Sequence, residues 1–154
     1  FKEKTQLPHR LVLAGADGAY SSEIHKAAFE SSAASDIFLT GYFPHESFPQ
    51  LYAGSDACIF PSINEGVGLP VLEALAMGVP VLCSDAGALP EMGGDAALYF
   101  NSDSIEEIEA AMEKIVSDKD LRLSLSQKGI VRAADFNWEV TVNKTFEVLS
   151  RVIA

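Results

Sequence analysis

Two glutamates separated by seven residues, Glu65 and Glu73, flank a glycine-rich turn in the stretch "SINEGVGLPVLEALAMGVPV", residues 62–81. A carboxylate without a partner costs several kcal/mol to bury, so protein donors, water or a ligand must meet both. A ribose diol would present two hydroxyls to Glu73 in bidentate geometry, and a neighbouring backbone segment or an Arg would also serve. Gly66 and Gly68 permit positive φ and close approach to the main chain, so amides near Gly68 and Leu69 can face an anion at a helix N-terminus. A plain tight turn is the alternative, and no Gly-Lys-Ser/Thr follows to make a P-loop. Glu65 would repel a phosphate placed against it, which makes a neutral polyol its natural partner. Together these are the parts of a nucleotide-sugar site: a carboxylate for sugar, amides for phosphate and a second carboxylate for ribose. That reading depends on a phosphorylated polyol completing hydrogen bonding that the acidic pair otherwise lacks.

Other reactive side chains offer less. Cys58 in "DACIFPS" and Cys83 in "VPVLCSD" lie in apolar runs and read as buried, reduced thiols. No metal spacing such as CxxC or HxxxH occurs. His9, His25 and His45 are scattered, with no Cys or paired carboxylate close in sequence, and read as surface or loop residues.

The elements that must position the glutamates follow from hydrophobic patterning. Short apolar runs at 9–15, 36–43, 56–62, 79–85 and 96–100 read as buried strands, with helical spacing between them at about 20–34, 46–54, 69–77 and 104–117. Such alternation predicts an α/β domain with a doubly wound parallel sheet. Beyond the last strand the pattern becomes wholly helical. Ser104 caps a helix with Ile105, Ile108, Met112 and Ile115 on one stripe, and two more helices follow at 119–134 and 138–153, the last capped by Asn137. Ligands in such sheets sit beyond the carboxyl ends of the strands, where Ile63–Gly68 follows "DACIFPS". Pro70 near its start and Gly78 at its end bound the next helix at about Leu69 to Met77. With Glu73 as its one charge, that helix reads as enclosed by protein.

The 154 residues suit a single domain, 1–154, with 48% hydrophobic residues arguing against disorder. A formal net charge of -11 argues against nucleic acid or an anionic lipid surface as a partner. The apolar runs fall short of the roughly 20 residues needed to span a bilayer.

The stretch from Glu65 through "GVGLPVL" to Glu73, followed by "ALAMGVPVLCSDAGALPEMGGDAALYF", closely resembles the donor-site signature of retaining GT-B glycosyltransferases of the family 4, or group 1, type. "RLVLAG", "LTGYF", "LYAGSDACIFPS" and "FNW" extend the likeness over nearly the whole chain. It implies a Rossmann-like C-terminal half of a GT-B fold. Glu65 would position the donor sugar without acting as a general base. Gly66, Val67, Gly68 and Leu69 would contact sugar and phosphate, Glu73 the ribose, and main chain near Tyr42 and Phe43 the base. Val67 stands where the family commonly has an aromatic, and Glu91 in "ALPEMGGD" reads as a residue that structures its loop.

The resemblance further implies transfer of a sugar from a nucleotide-diphosphate sugar with retention, no cofactor and no bound metal. The acceptor would be held by an N-terminal domain that this stretch lacks. "FKEKTQLPH" reads as the end of a helix, so the first strand of this half and the Arg and Lys after it are expected to be absent too, and Lys2 and Lys4 do not replace them. The stretch alone is expected to be inactive. The full-length enzyme is expected in the cytoplasm, with the inner membrane face as a further place of work. A stand-alone nucleotide or sugar-binding module and a GT-B-fold nucleotide-sugar epimerase are the alternatives. A phosphorylase would need a pyridoxal lysine in apolar surroundings, which the sequence does not offer.

Overall fold

The computed structural model describes residues 1–153. The chain forms two compact units, Phe1–Gly54 and the remainder from Ser55.

The first unit contains α1 (Lys2–Thr5), β1 (Leu11–Ala14), α2 (Ser21–Glu30), β2 (Ile37–Gly41) and α3 (Phe48–Ala53). β1 and β2 pair in parallel from Leu11↔Ile37 to Ala14↔Gly41, with a register shift between Leu13 and Ala14. The short α1 agrees with the helix end expected at the start of the chain. Lys2 secures it, since its Nζ donates to the carbonyls of Leu7 and His9 and pairs with Asp36 at 3.0 Å.

The second unit contains β3 (Cys58–Phe60), α4 (Leu69–Ala76), β4 (Val81–Ser84), α5 (Leu89–Gly93), β5 (Ala97–Phe100), α6 (Ile105–Ser117), α7 (Lys119–Ala134) and α8 (Trp138–Ile153). Its three strands are parallel in the order β3-β4-β5. β4 lies in the middle and every one of its residues is buried, as expected of a central strand with helices on both faces. Leu82 and Phe100 from the sheet pack with Ala111, Ile115 and Leu125 from α6 and α7 to form a core, joined by Ile108 and Met112. The α/β class with parallel strands and trailing helices is thus as the alternation predicts.

The caps follow their sequence signals. Ser104 Oγ accepts from the Glu107 amide at 3.2 Å, and Asn137 Oδ1 accepts from the Glu139 amide at 2.7 Å. Two apolar assignments need correction. Ile105 is 78% exposed, because the first position of α6 lies one turn short of the core that Ile108 begins. α4 is not enclosed all round: Val71, Ala74 and Leu75 are buried, whereas Leu69, Ala76 and Met77 are exposed. The reason is its length. Eight residues set between β3 and β4 on one side and α7 on the other are covered in the middle turns, and the ends project. Met77 forms the C-terminal cap and Gly78 turns the chain at φ +68°.

Candidate functional site

β3 stops at Phe60, paired with Cys83, and Pro61 brings no N–H to continue the ladder. The chain then runs over residues 61–68 to α4, at the carboxyl end of the sheet where the sequence places the site. Ser84, the buried last residue of β4, donates from its hydroxyl to the Ser62 carbonyl. Ser62 Oγ lies 3.0 Å from Glu65 Oε1 and donates to it. The Ala88 amide donates to the Glu65 carbonyl at 3.0 Å, so the loop after β4 also holds this residue.

Glu65 is half-buried. One carboxylate oxygen is met by Ser62, and Oε2 accepts no hydrogen bond from any described residue. The expectation that the acidic pair lacks internal partners is therefore corrected: Glu65 is half satisfied, and Glu73, also half-buried, is engaged within the chain. Second-turn placement puts Glu73 over the sheet, where its charge adds to burial in raising the Cys58 thiol to about 11.

Of the two glycines, only Gly68 takes positive φ, at +81°, and it is the N-cap of α4. An added Cβ there would lie 2.5 Å from Leu89 Cδ2, in the buried start of α5. Gly66 has no positive φ, and nothing lies within 4 Å of an added Cβ. Leu69 occupies the first helical position, as expected, and Pro70 the second. Proline supplies no amide, and the Val71 and Leu72 amides turn back to the Gly68 carbonyl. The Gly68 and Leu69 amides donate to no acceptor among the described residues, and Gly68 itself is buried. Val67 and Leu69 are 47% and 50% exposed beside them.

Tyr42 and Phe43 follow the end of β2 in the first unit, after Gly41 at φ +63°. Tyr42 is 78% exposed, and Phe43 stands edge-on to Phe48 at 5.4 Å between ring centroids.

The remaining side chains find structural places. Neither cysteine is in a disulfide; Cys83 is fully buried and its thiol is raised to about 12 by burial and then by Cys58, whereas Cys58 is half-buried. His25 is exposed on α2, as a surface residue is expected to be, and meets Asp17, eight residues earlier, at 3.0 Å. Glu91, expected to structure a loop, lies instead exposed in α5, and it is its main-chain carbonyl, with that of Met92, that accepts from the Arg132 guanidinium of α7. Sequence reasoning missed α5, Ser62, Ser84 and Gly87. The tripeptide Leu89–Pro90–Glu91, with proline in a first turn, was the available signal for α5. Among the described residues, no group of three or more His, Cys, Asp or Glu could hold a metal ion, and no helix is long and apolar enough to cross a membrane.

The profile of the family described as "Glycosyl transferases group 1" matches residues 1–132. The O-antigen chain mannosyltransferase B of Escherichia coli is 33% identical over 142 residues, covering 92% of this chain and 37% of that protein. The D-inositol 3-phosphate glycosyltransferase of Corynebacterium aurimucosum is 30% identical over 132 residues, covering 83% of this chain and 31% of that protein. The chain thus spans about a third of the length of these relatives. Among solved structures, sucrose-phosphate synthase from Thermosynechococcus elongatus superposes with a TM-score of 0.85 at 25% identity, over 96% of this chain and 40% of that one. HepE of Anabaena, solved in complex with UDP, superposes with a TM-score of 0.82 at 21% identity, over 95% of this chain and 42% of that one. The matched part of HepE has the same fold. With the family profile matching most of its length, the chain belongs to the group 1 glycosyltransferases.

Proposed function

We propose that residues 1–154 are the donor-binding domain of a retaining glycosyltransferase whose acceptor is held by a further domain outside this stretch. The donor is a nucleotide-diphosphate sugar. The observation that carries the reading is the state of Glu65: one carboxylate oxygen is held by Ser62, the other has no donor, and the Gly68 and Leu69 amides open α4 three and four residues away. A sugar hydroxyl suits the free oxygen, and a phosphate suits the amides at the positive end of a helix. Relatives named as mannosyltransferases and a neighbour solved with UDP-glucose support the same class of donor.

In this reading Glu65 fixes the sugar, Gly66 to Leu69 contact sugar and phosphate, and Glu73 takes the ribose hydroxyls. Transfer breaks the bond between the anomeric carbon and the diphosphate oxygen and forms one to an acceptor hydroxyl oxygen on the same face, and the hydroxyl proton passes to the departing diphosphate. Charge builds on the departing diphosphate and on the sugar ring, so fixed amides and the Glu65 carboxylate act electrostatically, without a metal or cofactor. In this reading the acceptor site belongs to the further domain, and the stretch by itself does not transfer sugar.

The test is calorimetric titration of the full-length protein with UDP against UDP-glucose and GDP against GDP-mannose. The expected result is that Glu73→Gln weakens nucleotide and nucleotide-sugar alike by about tenfold, while Glu65→Gln mainly removes the extra affinity contributed by the sugar. Equal affinities in wild type and both variants would refute these roles.

A further inference from the structure

We infer that Ser62 and Ser84 are positioning residues for the donor sugar, acting through Glu65; the inference rests on the reading of Glu65 given above. Ser84 is fully buried at the end of the central strand, and its hydroxyl donates to the Ser62 carbonyl just where the β3–β4 ladder has ended. Pro61 cannot extend that ladder, so this side-chain bond ties the departing loop to the sheet. Ser62 then has one hydroxyl proton and two acceptors in range. Glu65 Oε1 is at 3.0 Å and the Asn64 carbonyl at 3.4 Å, and the nearer, charged oxygen takes the proton.

The consequence is directional. A glutamate has three side-chain torsions, and an exposed carboxylate samples many orientations. With Oε1 held by Ser62 and the Glu65 main chain held by the Ala88 amide, the orientation of Oε2 is set before any sugar arrives. Two strands of one sheet thus aim the carboxylate: β3 through the short loop that carries Ser62, and β4 through Ser84. Pre-ordering removes a conformational cost from the bound state. Its loss should reduce the contribution of the sugar and leave binding of the bare nucleotide alone.

The experiment has two arms on the full-length protein. Without ligand, NMR of isotope-labelled Glu65 reads the side-chain rotamer through methylene couplings. A single rotamer in wild type and Ser62→Thr, with averaging in Ser62→Ala, is expected, and a single rotamer retained in Ser62→Ala would overturn the inference. With ligand, the ratio of affinities for UDP-glucose over UDP, or for GDP-mannose over GDP, is expected to fall about three- to tenfold in Ser62→Ala and to recover in Ser62→Thr. Ser84→Ala should lower the same ratio, with thermal melting used to correct for any lost stability. An unchanged ratio in Ser62→Ala, in a protein whose Glu65→Ala variant does lose it, would overturn the inference while sparing the role of Glu65. If Glu65→Ala leaves the ratio unchanged, the reading of Glu65 falls, and the positioning role of the serines toward a donor falls with it, whatever the rotamers show.

Discussion

At Gly87 the backbone stands at φ +58°, with the main chain of Glu65 so close that an added Cβ would lie 2.7 Å from its carbonyl oxygen and 2.9 Å from its nitrogen. Backbone atoms cannot swing aside as a side chain does, so Gly87→Ala must strain the turn and push the Glu65 loop away. A loss of about 1–3 kcal/mol in stability is expected from thermal or urea unfolding, together with a weaker sugar-dependent affinity. For the stability arm alone, Gly66→Ala is the matching control, since its Cβ would meet nothing within 4 Å. The cysteines make a prediction of a different kind. Burial raises both thiols from the ordinary 9.0, Cys58 to about 11 with help from the Glu73 charge, and Cys83 to about 12. Above pH 9 the unfolded chain therefore gives up protons that the folded one retains. Stability from this source is complete below about pH 9 and declines as pH rises toward 11 and 12. Urea midpoints measured from pH 7 upward should show that decline, and it should be shallower in Cys83→Ala.

Among the elements, α5 is the one on which the site leans from behind. Its first residue, Leu89, is fully buried against Gly68, and the turn before it holds the Glu65 carbonyl. A five-residue helix cannot hold itself, because nucleation costs more than so few hydrogen bonds return. α7 supplies the support: Arg132 donates to the Glu91 carbonyl at 2.5 Å and to the Met92 carbonyl at 3.1 Å, and its guanidinium stacks 4.8 Å from the Phe136 ring. Arg132→Ala should therefore cost about 1.5–3 kcal/mol in urea unfolding, and amide exchange over 87–93 should rise more than over α6. Arg132→Lys should recover little, since a single ammonium cannot reproduce two directed bonds and a stacked plane.

At the scale of the whole molecule, α8 is the conspicuous feature. Trp138, Val142, Phe146, Leu149 and Val152 recur on one stripe of this helix and are all more than half exposed. A core helix would hide that stripe, yet here it meets solvent along its length. Trp138 is the sole tryptophan and is 75% exposed, so residues 1–154 expressed alone should emit as a solvated indole and be quenched freely by acrylamide. Blue-shifted, protected emission would contradict the position of α8. The chain's net charge of -11 gives an anionic ligand no favourable overall field, so any such ligand would have to be met by local groups.

Hydrophobic periodicity, with proline and glycine as punctuation, determined the order of strands and long helices, because these signals are local and repeat within a few residues. The caps at Ser104 and Asn137 were legible for the same reason, as were the loop that carries the glycine-rich turn and its place after a strand. What only the tertiary structure decided was how the two glutamates are held. Ser84 reaches Ser62 across 22 residues of sequence, and Gly87 makes room for Glu65 from another loop, and neither relation has a period or a motif within one segment. The exposed ends of α4 belong to the same class, since a helix cannot encode how far its neighbours extend. Hydrogen bonds and close approaches between segments depend on where the sheet brings the strands together, and that is a property of packing rather than of any one stretch of chain.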